Sequence, residues 1–321
     1  MIIDLHSHYF PLDAVRSGGM DVAVSDGADG SLIVRAADHK LDIDRDLVDL
    51  RAQHDALTRQ RLDRRTLMPP PYTILYELEG DTGLHWARML NDGTAAAQRS
   101  NPDVFVGFAT VPLQSPSSAV DELHRAIGEL GLQGVEILTN VDGNGIDDPA
   151  YEPFWGAAAS LGVPVLIHPN NVAGGERMGA YYLRNLVGNP TETAQAGARI
   201  LFAGVLERHP RLKIILSHGG GAMPHLIGRL RHGYEVRPEC RERAANPIEQ
   251  IRNLYYDTIV FDPLILRHLV EIVGVDRVAV GTDFPFDMGE TNPIGFVETS
   301  GLSDRDCQTI LQAGERLLSR S

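Results

Sequence analysis

The feature that most constrains this chain is a repeated alternation: a short apolar, β-branched run, then a helix-patterned stretch, then another such run. The runs are Met1–Leu5, Val104–Leu113, Gly134–Leu138, Val163–Ile167, Lys213–Leu216, Leu254–Tyr256 and Arg277–Val280. Between and after them, Ser117–Glu129, Tyr151–Leu161, Thr191–His209, Pro263–Val273 and Asp304–Leu318 read as helices; in the first of these the apolar positions are Val120, Leu123 and Ile127. Alternation of this kind predicts βαβ units and a parallel sheet. An eighth strand near Arg61–Met68 would complete a (β/α)8 barrel, although RLDRRTLM is polar for a buried strand. The 321 residues fit one such domain, 1–321, since barrels run to about 250 residues plus insertions. Gly18–Leu41 is rich in Gly, Asp and Ser and reads as a small β-hairpin insertion after the first strand.

Charge narrows the partners. The formal net charge is −14, which argues against nucleic acid and anionic membranes as ligands. The two cysteines, Cys240 and Cys307, form neither a CxxC pair nor a disulfide framework, so a reducing, cytoplasmic setting is expected. The first residues, MIIDLHSHYF, lack a signal-peptide pattern, and no apolar run approaches the roughly 18 residues of a membrane helix.

The titratable residues fall at strand ends. His6 and His8 close the first run two residues apart, and i and i+2 share a strand face. His168 ends VPVLIH, His218 ends KIILSH and Asp283 ends VAVGTD. In a barrel that rim is where active sites are built. A lone histidine at a strand end is usually structural, but the joint placement points to a metal site. Three imidazoles and a carboxylate suit one zinc ion, with manganese or iron also compatible with the ligand types. Rival motifs fail: HGGG at His218 lacks a GxSxG elbow, and neither HExxH nor GxGxxG is present. Only Lys40 and Lys213 occur, and Lys213 begins its strand, so a carbamylated-lysine bridge is not expected. Glu136, the one substitute bridge, reads instead as a buried partner to an arginine.

With these residues in hand, the chain resembles the amidohydrolase superfamily and, within it, the aminocarboxymuconate-semialdehyde decarboxylase group. The resemblance spans nearly the whole chain and is carried by MIIDLHSHYFP, VFVGFATVPLQSP, GLQGVEILTN, VPVLIHP, RMGAYYLRNLVGNPTET, LKIILSHGGGAMPHLIGRLRHGYEVRP, YYDTIVFDPL and DRVAVGTDFPF. It implies zinc on His6, His8, His168 and Asp283, an acid/base role for His218, and a homodimer. It further implies that Arg229 binds a substrate carboxylate from the neighbouring subunit, with Arg51 as a second carboxylate-binding arginine. The chain departs from the group at Asn170, where an aromatic residue is expected, at Tyr182, where a tryptophan is expected, and at Thr58–Pro71, which offers Arg59, Arg61, Arg64 and Arg65 before three prolines. The metal set is intact while the pocket differs.

The expected reaction is non-oxidative decarboxylation of a small aromatic or muconate-semialdehyde carboxylate. His218 would move a proton between a metal water and the substrate carbon, since imidazoles as a class titrate near working pH, and Asp283 would assist. The alternative is hydrolysis of an amide, lactone or C–C bond by the same water.

Overall fold

The computed structural model describes residues 1–319. The chain opens with β1 (Ile3–Asp4) and α1 (Leu12–Ser17). Next come β2 (Val22–Asp26), β3 (Leu32–Ala36) and β4 (His39–Ile43), which form an antiparallel three-stranded sheet. The insertion is therefore a meander running two residues past the expected hairpin, because Leu41 and Ile43 bury beneath it with Val34 and Ala36.

The chain continues through α2 (Leu50–Gln60), β5 (Arg64–Leu67), α3 (Gly80–Ser100), β6 (Phe105–Thr110), α4 (Pro116–Gly128) and β7 (Gly134–Leu138). A short hairpin, β8 (Asn140–Val141) and β9 (Asn144–Gly145), precedes α5 (Glu152–Leu161) and β10 (Pro164–His168). Then follow α6 (Asn189–Phe202), α7 (Val205–Arg208), β11 (Lys213–Leu216), α8 (Met223–Val236), β12 (Tyr255–Asp257), α9 (Pro263–Val273) and β13 (Val278–Ala279). Helices α10 (Pro293–Glu298), α11 (Asp304–Leu311) and α12 (Ala313–Leu318) end the described chain.

Eight strands pair in parallel in the order β1-β5-β6-β7-β10-β11-β12-β13. The ring closes because the Leu5 N–H donates to the Val280 carbonyl at 2.9 Å and Ser7 bridges in parallel to Phe284. Ile3, Leu5, Met68, Val106, Phe108, Leu166, Ile215 and Ala279 pack as one cluster, with Ala313 and Leu317 of α12 against it. Odd and even positions of each strand face opposite ways, so the larger apolar cluster lies between the strands and the helices.

Local signals explain most element ends. The Asp262 carboxylate accepts from the Leu264 N–H at 2.7 Å, with Pro263 at the first helical position, so α9 starts where expected. The single helix expected over Thr191–His209 is divided at Ala203–Gly204, where Gly204 turns left-handed at φ 68°. The tail is divided at Gln312 into α11 and α12. The polar eighth strand is real: Arg65 on β5 is fully buried, and its Nε donates to Asp4 at 3.1 Å. The 21-residue α3, unremarked in the sequence, carries Asn91, which binds the edge of β6 through the Thr110 carbonyl and N–H.

Candidate metal centre

Strand β1 ends at Asp4, and His6 and His8 follow on the chain that leaves it. His168 is the last residue of β10, whereas His218 and Asp283 stand just past β11 and β13. His218 and Asp283 take left-handed φ values of 55° and 59°. That conformation is costly for side chains with a Cβ, and here it turns both groups into the barrel mouth.

Nε2 of His6 lies 3.2 Å from Nε2 of His8, and the Asp283 Oδ1 atom is 3.4 Å from the first and 3.0 Å from the second. His168 Nε2 is buried without a hydrogen-bond partner among the described residues. All four ligand atoms lie within 4.8 Å of one another, and all four residues are buried. The opposite ring nitrogens face acceptors: His6 Nδ1 meets Asp257 Oδ2 at 2.7 Å, His8 Nδ1 meets the Pro69 carbonyl at 3.3 Å, and His168 Nδ1 meets the Pro169 carbonyl at 2.9 Å. Donation from each Nδ1 leaves the Nε2 lone pairs turned toward one point. Lone pairs and a carboxylate converging in a dry site demand positive charge, and a divalent ion fits.

The electrostatics agree. Burial pulls His6 down, but Asp283 and the hydrogen bond to Asp257 outweigh it and hold His6 at about 9. Burial pushes His168 well below its usual range, helped by His218, His6 and His8, and burial likewise lowers His8. Burial would raise Asp283, yet His6, His218 and His8 together keep it well below the carboxylate norm.

His218 joins this cluster. Its ring centroid is 5.2 Å from that of His6 and 5.1 Å from that of His168, spacings matched by His6–His8 at 5.1 Å. Its Nε2 is 3.4 Å from Asp283 Oδ2, and its Nδ1 is buried and unpartnered among the described residues. Two adjoining cavities, of about 260 and 220 Å³, meet at His218 and Asp283. Asn170 and Tyr182 line the second of them. Arg51 and Arg229 line neither; both are exposed, Arg51 on α2 and Arg229 on α8.

One other expectation changes. Glu136 has no arginine: it is fully buried, and neither carboxylate oxygen has a hydrogen-bond partner among the described residues. Burial raises it well above the usual range. The buried arginine is Arg65, and it belongs to Asp4. The other arginines of that stretch point elsewhere, Arg61 to Glu298 and Arg64 to the Pro102 carbonyl. The sequence reading missed Asp257. This carboxylate ends β12 on the same rim as the histidines, a placement that could have drawn attention to it.

A family model described as Amidohydrolase matches residues 3–311. The chain is 39% identical over 253 residues to 2-amino-3-carboxymuconate-6-semialdehyde decarboxylase of Dictyostelium discoideum, covering 78% of this chain and 70% of that protein. It spans 64% and 66% of two other curated relatives it matches. Its structure resembles 2,6-dihydroxybenzoate decarboxylase from Rhizobium with a TM-score of 0.75 and 25% identity, covering 85% of this chain and 89% of that one. It also shares its fold with 5-carboxyvanillate decarboxylase from Sphingomonas paucimobilis, at a TM-score of 0.83 and 22% identity over 100% and 99% of the two chains.

Proposed function

Because this chain belongs to the amidohydrolase family, we propose that it is a metal-dependent carboxy-lyase that removes CO2 from a small aromatic or muconate-semialdehyde carboxylate. The observation that carries this reading is the position of His218, as close to the ligand imidazoles as they are to each other and at the junction of both cavities.

His6, His8, His168 and Asp283 would hold one divalent ion; three imidazoles and one carboxylate suit zinc, and the same set would serve manganese. When bound, the ion supplies Lewis acidity to a substrate oxygen. His218 delivers a proton to the unsaturated carbon that bears the carboxylate. The C–C bond then breaks, its electron pair returns to the conjugated π system, and CO2 leaves, so the carbon exchanges CO2 for hydrogen. Asp283 Oδ2 orients the His218 ring. Asn170 and Tyr182 form part of the substrate wall. A carboxylate-binding role for Arg229 requires a homodimer in which α8 of one copy faces the pocket of the other.

The test is CO2 release by the metal-loaded protein from ortho-hydroxy and ortho-amino aromatic carboxylates and from aminocarboxymuconate semialdehyde. Release that disappears in His218→Asn supports the reading. No release from any acid by a protein carrying stoichiometric metal would refute it and favour hydrolysis.

A further inference from the structure

Strand β10 delivers His168 to the rim, and the segment 169–173 leaves it with no helix or strand of its own. Two buried side chains hold that segment. The amide of Asn140, at the start of β8, donates to the Asn170 carbonyl at 3.0 Å and the Asn171 carbonyl at 3.3 Å. The same amide donates to Glu192 Oε1 at 3.0 Å, and Glu192 Oε2 accepts the Ala173 N–H at 3.0 Å. Asn171 between them takes a left-handed φ of 48°, a conformation that persists where its surroundings impose it.

Glu192 lies in the first turn of α6 and is 4% exposed. Burial of its carboxylate is offset by the two N–H donors and by the positive end of the helix dipole. Both oxygens are needed as acceptors, so a neutral amide at this position satisfies one partner only.

The start of α6 also reaches the other half of the site. The Pro190 carbonyl accepts the Ala222 N–H at 3.0 Å, in the turn that follows His218. Gly221, at φ 59°, packs so closely on that carbonyl that a Cβ there would collide with it. One helix start therefore touches both the segment after His168 and the loop that carries His218. Asn170, whose carbonyl the Asn140 amide holds, lines the second cavity beside His218.

Resting on the decarboxylase reading, we propose that Glu192 is a positioning residue. With Asn140 it clamps segment 170–173 to α6 and so fixes the Asn170 wall of the cavity relative to His218. The test uses the full-length, metal-loaded protein and whichever of the acids named above the parent turns over fastest. In Glu192→Gln, kcat/KM for CO2 release falls about 10- to 100-fold, through KM more than kcat. Metal content stays at the parent's, because β7 holds His168 through the Thr139 N–H at 3.0 Å. The double variant with Asn140→Ala loses no more than the worse single variant, since both break one clamp. Amide hydrogen exchange reads the clamp without turnover. Exchange at Ala173 quickens by about tenfold or more in Glu192→Gln, the worth of one hydrogen bond to a charged acceptor, while β10 stays parent-like. If the parent releases CO2 from no acid, the reaction reading fails, and exchange alone decides the clamp. Unchanged exchange at Ala173 overturns it, and so do additive losses in the double variant. Faster exchange with parent-like kcat/KM makes Glu192 merely structural, and loss of metal moves its effect to the ligands; either overturns the positioning role. Should Glu192→Gln fail to fold, Asn140→Ala alone carries the same measurements.

Discussion

One carboxylate oxygen serves both halves of the site: Asp257 Oδ2 lies 2.7 Å from His6 Nδ1 and 2.8 Å from the backbone N–H of His218. Its other oxygen accepts the Gly219 N–H at 2.8 Å. Asp257 therefore sets the ring of His6, the proposed metal ligand, and the loop that carries His218, the proposed acid/base. Asp257→Asn should weaken metal binding about 10- to 100-fold. Chelator competition measures this, and an unchanged affinity would show that His6 needs no such support.

His168→Ala removes one of four ligands and should leave the purified protein without its ion. Elemental analysis reads the result directly. Stoichiometric metal retained by this variant would mean that the four residues do not form the site.

His218→Asn spares the ligand set. Metal content should match the parent, while the rate of CO2 release falls by about 10²- to 10⁴-fold, the usual worth of a positioned general acid. Parent-like turnover would remove His218 from the proton-transfer step.

The Asp4–Arg65 pair is fully buried, and Asp4 also accepts from the Thr282 N–H and hydroxyl. The pair ties β1, β5 and the loop after β13 together where the barrel closes. Asp4→Asn leaves the guanidinium buried without its charge partner and should cost about 3–5 kcal/mol. Urea unfolding of the metal-free protein gives the number; a loss below about 1 kcal/mol would mean that water or a rearranged carboxylate replaces Asp4.

Metal uptake should depend on pH through His6. In the ion-free protein the neighbouring aspartates hold His6 at about 9, above its ordinary 6.5. A raised value means that the imidazolium stabilises the ion-free fold fully below about 6.5, and that this contribution is lost as pH rises through about 9. An ion must displace that proton, so apparent affinity should climb from pH 6.5 to about 9. Titration calorimetry in buffers of different ionisation heat counts the protons released. A flat affinity over that window would show that His6 binds already neutral.

Much of this site was legible because strand geometry is local. The alternation of apolar runs predicts the barrel, and residues at run ends go to its rim whatever the rest of the chain does. His6, His8, His168, His218 and Asp283 meet for that reason. The polar run around Arg65 stood against that logic, since its counter-charge sits 61 residues earlier in the chain on the neighbouring strand.

What sequence determined by itself was the order of elements and the set of groups at the mouth, both consequences of residue type and short-range period. Only the tertiary structure decided their partners. Asp257 reaches His6 across 251 residues and Asp283 reaches His8 across 275, contacts that exist because the eighth strand closes against the first. The same ring leaves Glu136 buried with neither carboxylate oxygen hydrogen-bonded among the described residues. No local pattern encodes such pairings, because they depend on which strands the closed ring places side by side.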